Sequence, residues 1–154
     1  MIQRIQSLYL LAANILLSAL YLSPFAELSG KEGKTFLFYL NGLVPGNAVN
    51  GGIVLNTWPL LAITGLIFAL IFLIIFQYKN RPLQIKLTYL SEALLIILTG
   101  LIYFYVWKGN TLTAGSYSFK ITSTFPLIAA VFAWLASRGM IKDENLVKSI
   151  DRIR

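Results

Sequence analysis

Thr57-Trp58-Pro59-Leu60-Leu61-Ala62-Ile63-Thr64-Gly65-Leu66-Ile67-Phe68-Ala69-Leu70-Ile71-Phe72-Leu73-Ile74-Ile75-Phe76 runs for 20 positions without a charged residue. A helix of that length rises about 30 Å, which is the thickness of a bilayer's hydrocarbon core. Its apolar side chains lie on every side of the helix rather than along one stripe, a pattern that suits lipid better than water. Pro59 falls in the first turn, where its missing N–H costs no hydrogen bond, and Asn56 stands just ahead as a candidate N-cap. The stretch reads as a transmembrane span.

Three further runs repeat the pattern, so the 154 residues read as one domain with spans at 7–25, 57–76, 87–107 and 123–141. Outer loops occupy 27–56 and 108–122, and a tail covers 142–154. The composition agrees: 57% of residues are hydrophobic and only 12% charged, a surplus of apolar surface that a small soluble domain has no room to bury. Arg4 and the run after it imitate a secretory signal peptide. The run ends in Ser23-Pro24-Phe25-Ala26, which offers no small-residue cleavage site, so the segment is expected to stay as an anchor.

The loops carry weaker signals. Thr35-Phe36-Leu37-Phe38-Tyr39-Leu40 is too short to span and reads as a strand. Thr111 to Thr122 alternates partly around Ala114-Gly115, like a short hairpin, and direct pairing of Thr35–Leu40 with Ser116–Ile121 is expected. In the tail, Leu146, Ile150 and Ile153 recur on one helical face, as in a helix lying on a membrane surface or packing on the bundle's cytoplasmic rim. The expected fold is an all-α membrane protein: a four-transmembrane-helix bundle with a small extracytoplasmic β cap and a C-terminal amphipathic cytoplasmic helix.

Orientation follows from Lys and Arg. The amino terminus, the connection between spans two and three, and the end of span four with its tail hold nine of them, against four in the two outer loops. The preference of these residues for the cytoplasmic side places both termini inside. A bacterial cytoplasmic membrane is the expected location. The formal net charge of +7 is explained by this topology and by anionic lipid, so no nucleic-acid partner is expected.

The chain contains neither cysteine nor histidine, which removes thiolate chemistry, disulfides, the usual zinc and haem donors, and nucleophile–histidine machinery. No cofactor, metal site or catalytic residue is expected. Glu92 is the single acidic residue inside a span, about 8 Å from the cytoplasmic boundary at 1.5 Å per residue. An intramembrane carboxylate is costly and points to proton or cation handling, or to fixing helix orientation. Asn14 sits at similar depth in span one, and an Asn14–Glu92 hydrogen bond is expected to tie spans one and three. Arg4, Arg81, Lys86, Lys148 and Arg152 are candidate cytoplasmic contacts for lipid or a partner. Ala129, Ala133 and Ser137 recur every four residues on span four and, with Gly65 and Ala69 on span two, are expected to pack between helices.

Three stretches carry a resemblance: Met1-Ile2-Gln3-Arg4-Ile5-Gln6, Arg81-Pro82-Leu83-Gln84, and the ending from Lys142-Asp143-Glu144-Asn145 to Arg154. In these the chain resembles an uncharacterised bacterial family of small four-span membrane proteins, a domain of unknown function. The resemblance implies the layout and supplies no activity to carry over. The order of a long and a shorter outer loop is also similar to claudin-type tetraspans. The paired cysteines of that outer loop are absent here, and junction formation is not inferred.

The missing catalytic groups favour a non-catalytic structural or partner-binding component of the cell envelope, with the bilayer, another membrane protein or a second copy as partner. The alternative is a small transporter, channel or lipid-binding protein that uses Glu92 and the basic cytoplasmic face.

Overall fold

The apolar runs form helices, and the helices outlast the runs. The computed structural model describes residues 3–30, 34–46, 53–77, 80–113 and 115–151. Tyr78, Lys79, Ala114, Arg152 and Ile153 therefore lie outside the described residues. Helices α1 (Gln3–Leu22), α2 (Trp58–Phe76), α3 (Arg81–Thr113) and α4 (Phe125–Asp151) are each long and apolar enough to cross a membrane. α1 packs on α4 and α2, and α3 packs on α4 and α2, so the four make a ring in which α1 and α3 stand diagonally.

Local chemistry explains where the helices begin. The Asn56 side chain accepts the Trp58 N–H at 3.0 Å, and the buried Thr57 hydroxyl donates to the Leu40 carbonyl at 2.9 Å, fixing the start of α2 against the preceding loop. Pro59, Pro82 and Pro126 each occupy the second position of their helix, where no intrahelical bond is lost. A single 3₁₀ turn, Ile121–Thr124, leads into α4.

The ring's interior is filled by leucine, isoleucine and alanine. Leu10, Leu17, Ile67, Ile71, Leu95 and Leu98 are fully buried. Ala129, Ala133 and Ser137 are buried too, so the small residues of α4 serve packing within the chain. On α2, Gly65 meets the Tyr21 hydroxyl, whereas Ala69 is exposed on the outside of the ring.

Over one end lies a five-stranded antiparallel sheet: β1 (Ala26–Ser29), β2 (Thr35–Tyr39), β3 (Gly42–Pro45), β4 (Leu55–Asn56) and β5 (Ser116–Phe119), in the order β4-β3-β2-β1-β5. Its inner face buries Phe25, Leu28, Phe38 and Leu43, with the Phe25 and Phe38 rings 5.0 Å apart. Gly109 of α3 receives this face, since a Cβ there would stand 2.8 Å from the Phe38 ring.

Three expectations change. The sheet exists, but Thr35–Leu40 does not pair with Ser116–Ile121: β1 intervenes, with Glu27 opposite both Leu37 and Ser118. The 111–122 stretch is not a hairpin, because α3 continues to Thr113 and only β5 follows. Residues 142–151 do not leave span four as a separate helix; they prolong α4, and Leu146 and Val147 are exposed. The last change has a local cause. Gly139 lets the Gln6 side chain close in, its absent Cβ lying 3.1 Å from Gln6 Cγ, and the prolonged helix is then tied to α1.

Candidate functional site

The end of the ring opposite the sheet gathers polar groups from all four helices. Gln6 on α1 donates from Nε2 to Asp143 Oδ2 on α4 at 2.6 Å. Gln84 on α3 is buried and donates to the Ile74 carbonyl of α2 at 3.1 Å, a helix-end acceptor that also takes the Gln77 N–H at 3.2 Å. Deeper along α3, the Thr88 hydroxyl bonds the Gln84 carbonyl at 2.8 Å and lies 3.7 Å from the Met140 sulfur of α4, while Ser91 bonds the Thr88 carbonyl at 2.7 Å. Gln6, Arg81, Gln84, Met140 and Asp143 enclose a space of about 10 Å³.

Glu92 lies one turn beyond Thr88 and is half-buried; its Oε1 has no hydrogen-bond partner. Ser137, on the facing surface of α4, stands beside the Glu92 carboxyl but gives its proton to the Trp134 carbonyl at 2.9 Å. Asn14 is buried on α1, and its Oδ1 is likewise without a partner. No hydrogen bond joins Asn14 to Glu92. Diagonal helices cannot bring two short side chains together when α4 fills the space between them with Ala133 and Ser137.

The basic candidates divide. Arg81 belongs to the polar cluster, whereas Lys86 is exposed on α3 outside it. Arg4 lies in the first turn of α1 and Lys148 near the end of α4, and Arg152 lies outside the described residues.

The cluster can do two things chemically. It pairs the buried Gln6 and Gln84 amides in the low-dielectric setting where leaving such groups unpaired is expensive. It also presents acceptor oxygens, on Asp143 and Glu92, that a hydrogen-bond donor could engage. Among the described residues no three acidic side chains come together as a metal site would require.

Gln6, Gln84, Thr88 and Asp143 are the members that spacing and charge did not single out. A signal was present for three of them, because Gln6, Gln84 and Asp143 fall one in each of the stretches that carry the family resemblance. Residues from those three stretches meet at one end of the ring.

No curated protein matches the chain. A family model does, over residues 2–153. The chain therefore belongs to the family described as Domain of unknown function (DUF4293).

Proposed function

We propose that this chain is a multi-pass protein of a bacterial cytoplasmic membrane, with both ends inside, acting without catalysis as a partner-binding structural component of the cell envelope. The observation that carries the partner-binding reading is the free edge of β5. Lys120 N–H donates to the Phe25 carbonyl at 3.0 Å, which fixes the ladder so that Ser116 and Ser118 bond toward β1 while Tyr117 and Phe119 turn their N–H and C=O groups outward. Both outward residues carry exposed aromatic side chains, and neither proline nor a charged residue is built into this short strand to blunt its edge. An extended segment of another chain fits such an edge by adding a strand.

The packing of the ring supports the same reading over transport in the half toward the sheet, where Leu17, Leu20, Leu98, Ile102 and Val106 are fully buried; Asn14, Thr88, Ser91 and Ser137 are buried in the other half. Photocrosslinking in intact cells tests the proposal. A benzoylphenylalanine at position 117 is expected to give a discrete protein adduct, and one at Ala62, exposed on α2, is expected to react with lipid. Lipid adducts alone at position 117 would refute partner binding through β5.

A further inference from the structure

α4 carries a second organised surface. At 3.6 residues per turn, Leu127, Val131, Trp134, Arg138, Lys142, Asn145 and Ser149 fall within about 40° of one line along the helix. All seven are exposed. Read along α4 away from the sheet, the line changes character once: three apolar residues, then two cations, then two neutral polar groups. Leu127 lies about 16 Å from Arg138 along the axis, which is close to the hydrocarbon depth of one leaflet.

The cationic step is shaped. Arg138, Ile141, Lys142, Asn145, Leu146 and Ser149 line a concavity of about 530 Å³, with an apolar side from Ile141 and Leu146. The Arg138 guanidinium lies over the Trp134 ring at 4.4 Å, which holds the cation at the boundary between the apolar track and the concavity. The nearest acidic residues on this helix point elsewhere. Asp143 and Glu144 are half-buried and sit more than about 100° off the line, and Asp143 is hydrogen-bonded to Gln6.

We propose that this face of α4 binds an anionic phospholipid, its phosphate on Arg138 and Lys142 and one acyl chain along Trp134, Val131 and Leu127. The charge order matches that ligand. A zwitterionic lipid would bring its own cation against Arg138 and Lys142, and a free phosphate would leave the apolar track uncovered. The inference rests on the membrane-spanning reading above and adds to it a leaflet, a ligand class and two contact residues.

The test uses the full chain with Trp58→Phe and Trp107→Phe, which leaves Trp134 as the sole tryptophan. It is reconstituted in vesicles of phosphatidylcholine and phosphatidylglycerol, with dibrominated acyl chains on one lipid or the other. Brominated phosphatidylglycerol is expected to quench Trp134 with a relative association about thirtyfold above that of brominated phosphatidylcholine, the scale two interfacial cations provide. Arg138→Gln with Lys142→Gln should bring the ratio to one, and Lys86→Gln, removing an exposed cation elsewhere, should leave it unchanged. Equal quenching by the two lipids overturns the proposal, as does a Lys86→Gln loss equal to that of the pair. Failure of the membrane-spanning reading looks different: neither lipid would then quench the chain that keeps only Trp58.

Discussion

At the scale of residues, stability at the polar end hinges on a few bonds whose loss leaves a buried group behind. Gln6→Leu removes the donor to Asp143 and strands a carboxylate, Oδ1 of which already lacks a partner. A hydrogen bond to a charged group contributes about 1.5–3 kcal/mol, and Gln6→Leu is expected to lower stability in detergent by that order. Gln6→Leu combined with Asp143→Leu should be less damaging than Gln6→Leu alone, because no carboxylate then remains to be solvated; thermal unfolding of the purified variants checks this. Glu92 offers the opposite case. Its unpartnered Oε1 is a liability within an apolar helix layer, so Glu92→Leu is expected to raise the unfolding temperature. A fall in unfolding temperature would show that Glu92 makes an interaction the fold depends on.

At the scale of elements, the register of β5 makes a directional prediction. The Tyr117 N–H faces outward, so Tyr117→Pro should keep the β1–β5 ladder and abolish the adduct formed by a benzoylphenylalanine at position 119 of the same edge. Ser118→Pro removes an N–H that bonds Glu27 and should cost at least about 1 kcal/mol, visible as a lower unfolding temperature. The helices were legible in the sequence because each carries a long apolar run, a signal that needs no tertiary information. Their lengths were not. Lys108 to Thr113 and Lys142 to Asp151 are polar enough to read as loop or tail, yet nothing in them breaks a helix already nucleated upstream. β1 was hidden for a different reason: Ala26-Glu27-Leu28-Ser29 is four residues long, and it is a strand only because β2 and β5 flank it.

For the whole molecule, the sequence marked the polar end as a place of interest without revealing its contacts. Gln6 and Asp143 are 137 positions apart, and no periodicity or spacing rule links residues at that separation. The Asn14–Glu92 pair failed for the same reason in reverse, since depth along each helix was readable and the arrangement of helices in the ring was not. What emerges is a molecule with two unlike ends: a sheet with an open edge, and a polar cluster flanked by a cationic face of α4. Both proposed roles require those ends to lie on opposite sides of a membrane. The chain has no cysteine, so single cysteines can report directly. With Ser116→Cys on the sheet or Asn80→Cys between α2 and α3, both exposed, an impermeant maleimide is applied to intact cells. Labelling of the Ser116→Cys chain is expected in intact cells and of the Asn80→Cys chain only after permeabilisation; labelling of both alike would put the two ends on one side, and the reverse pattern would invert the orientation.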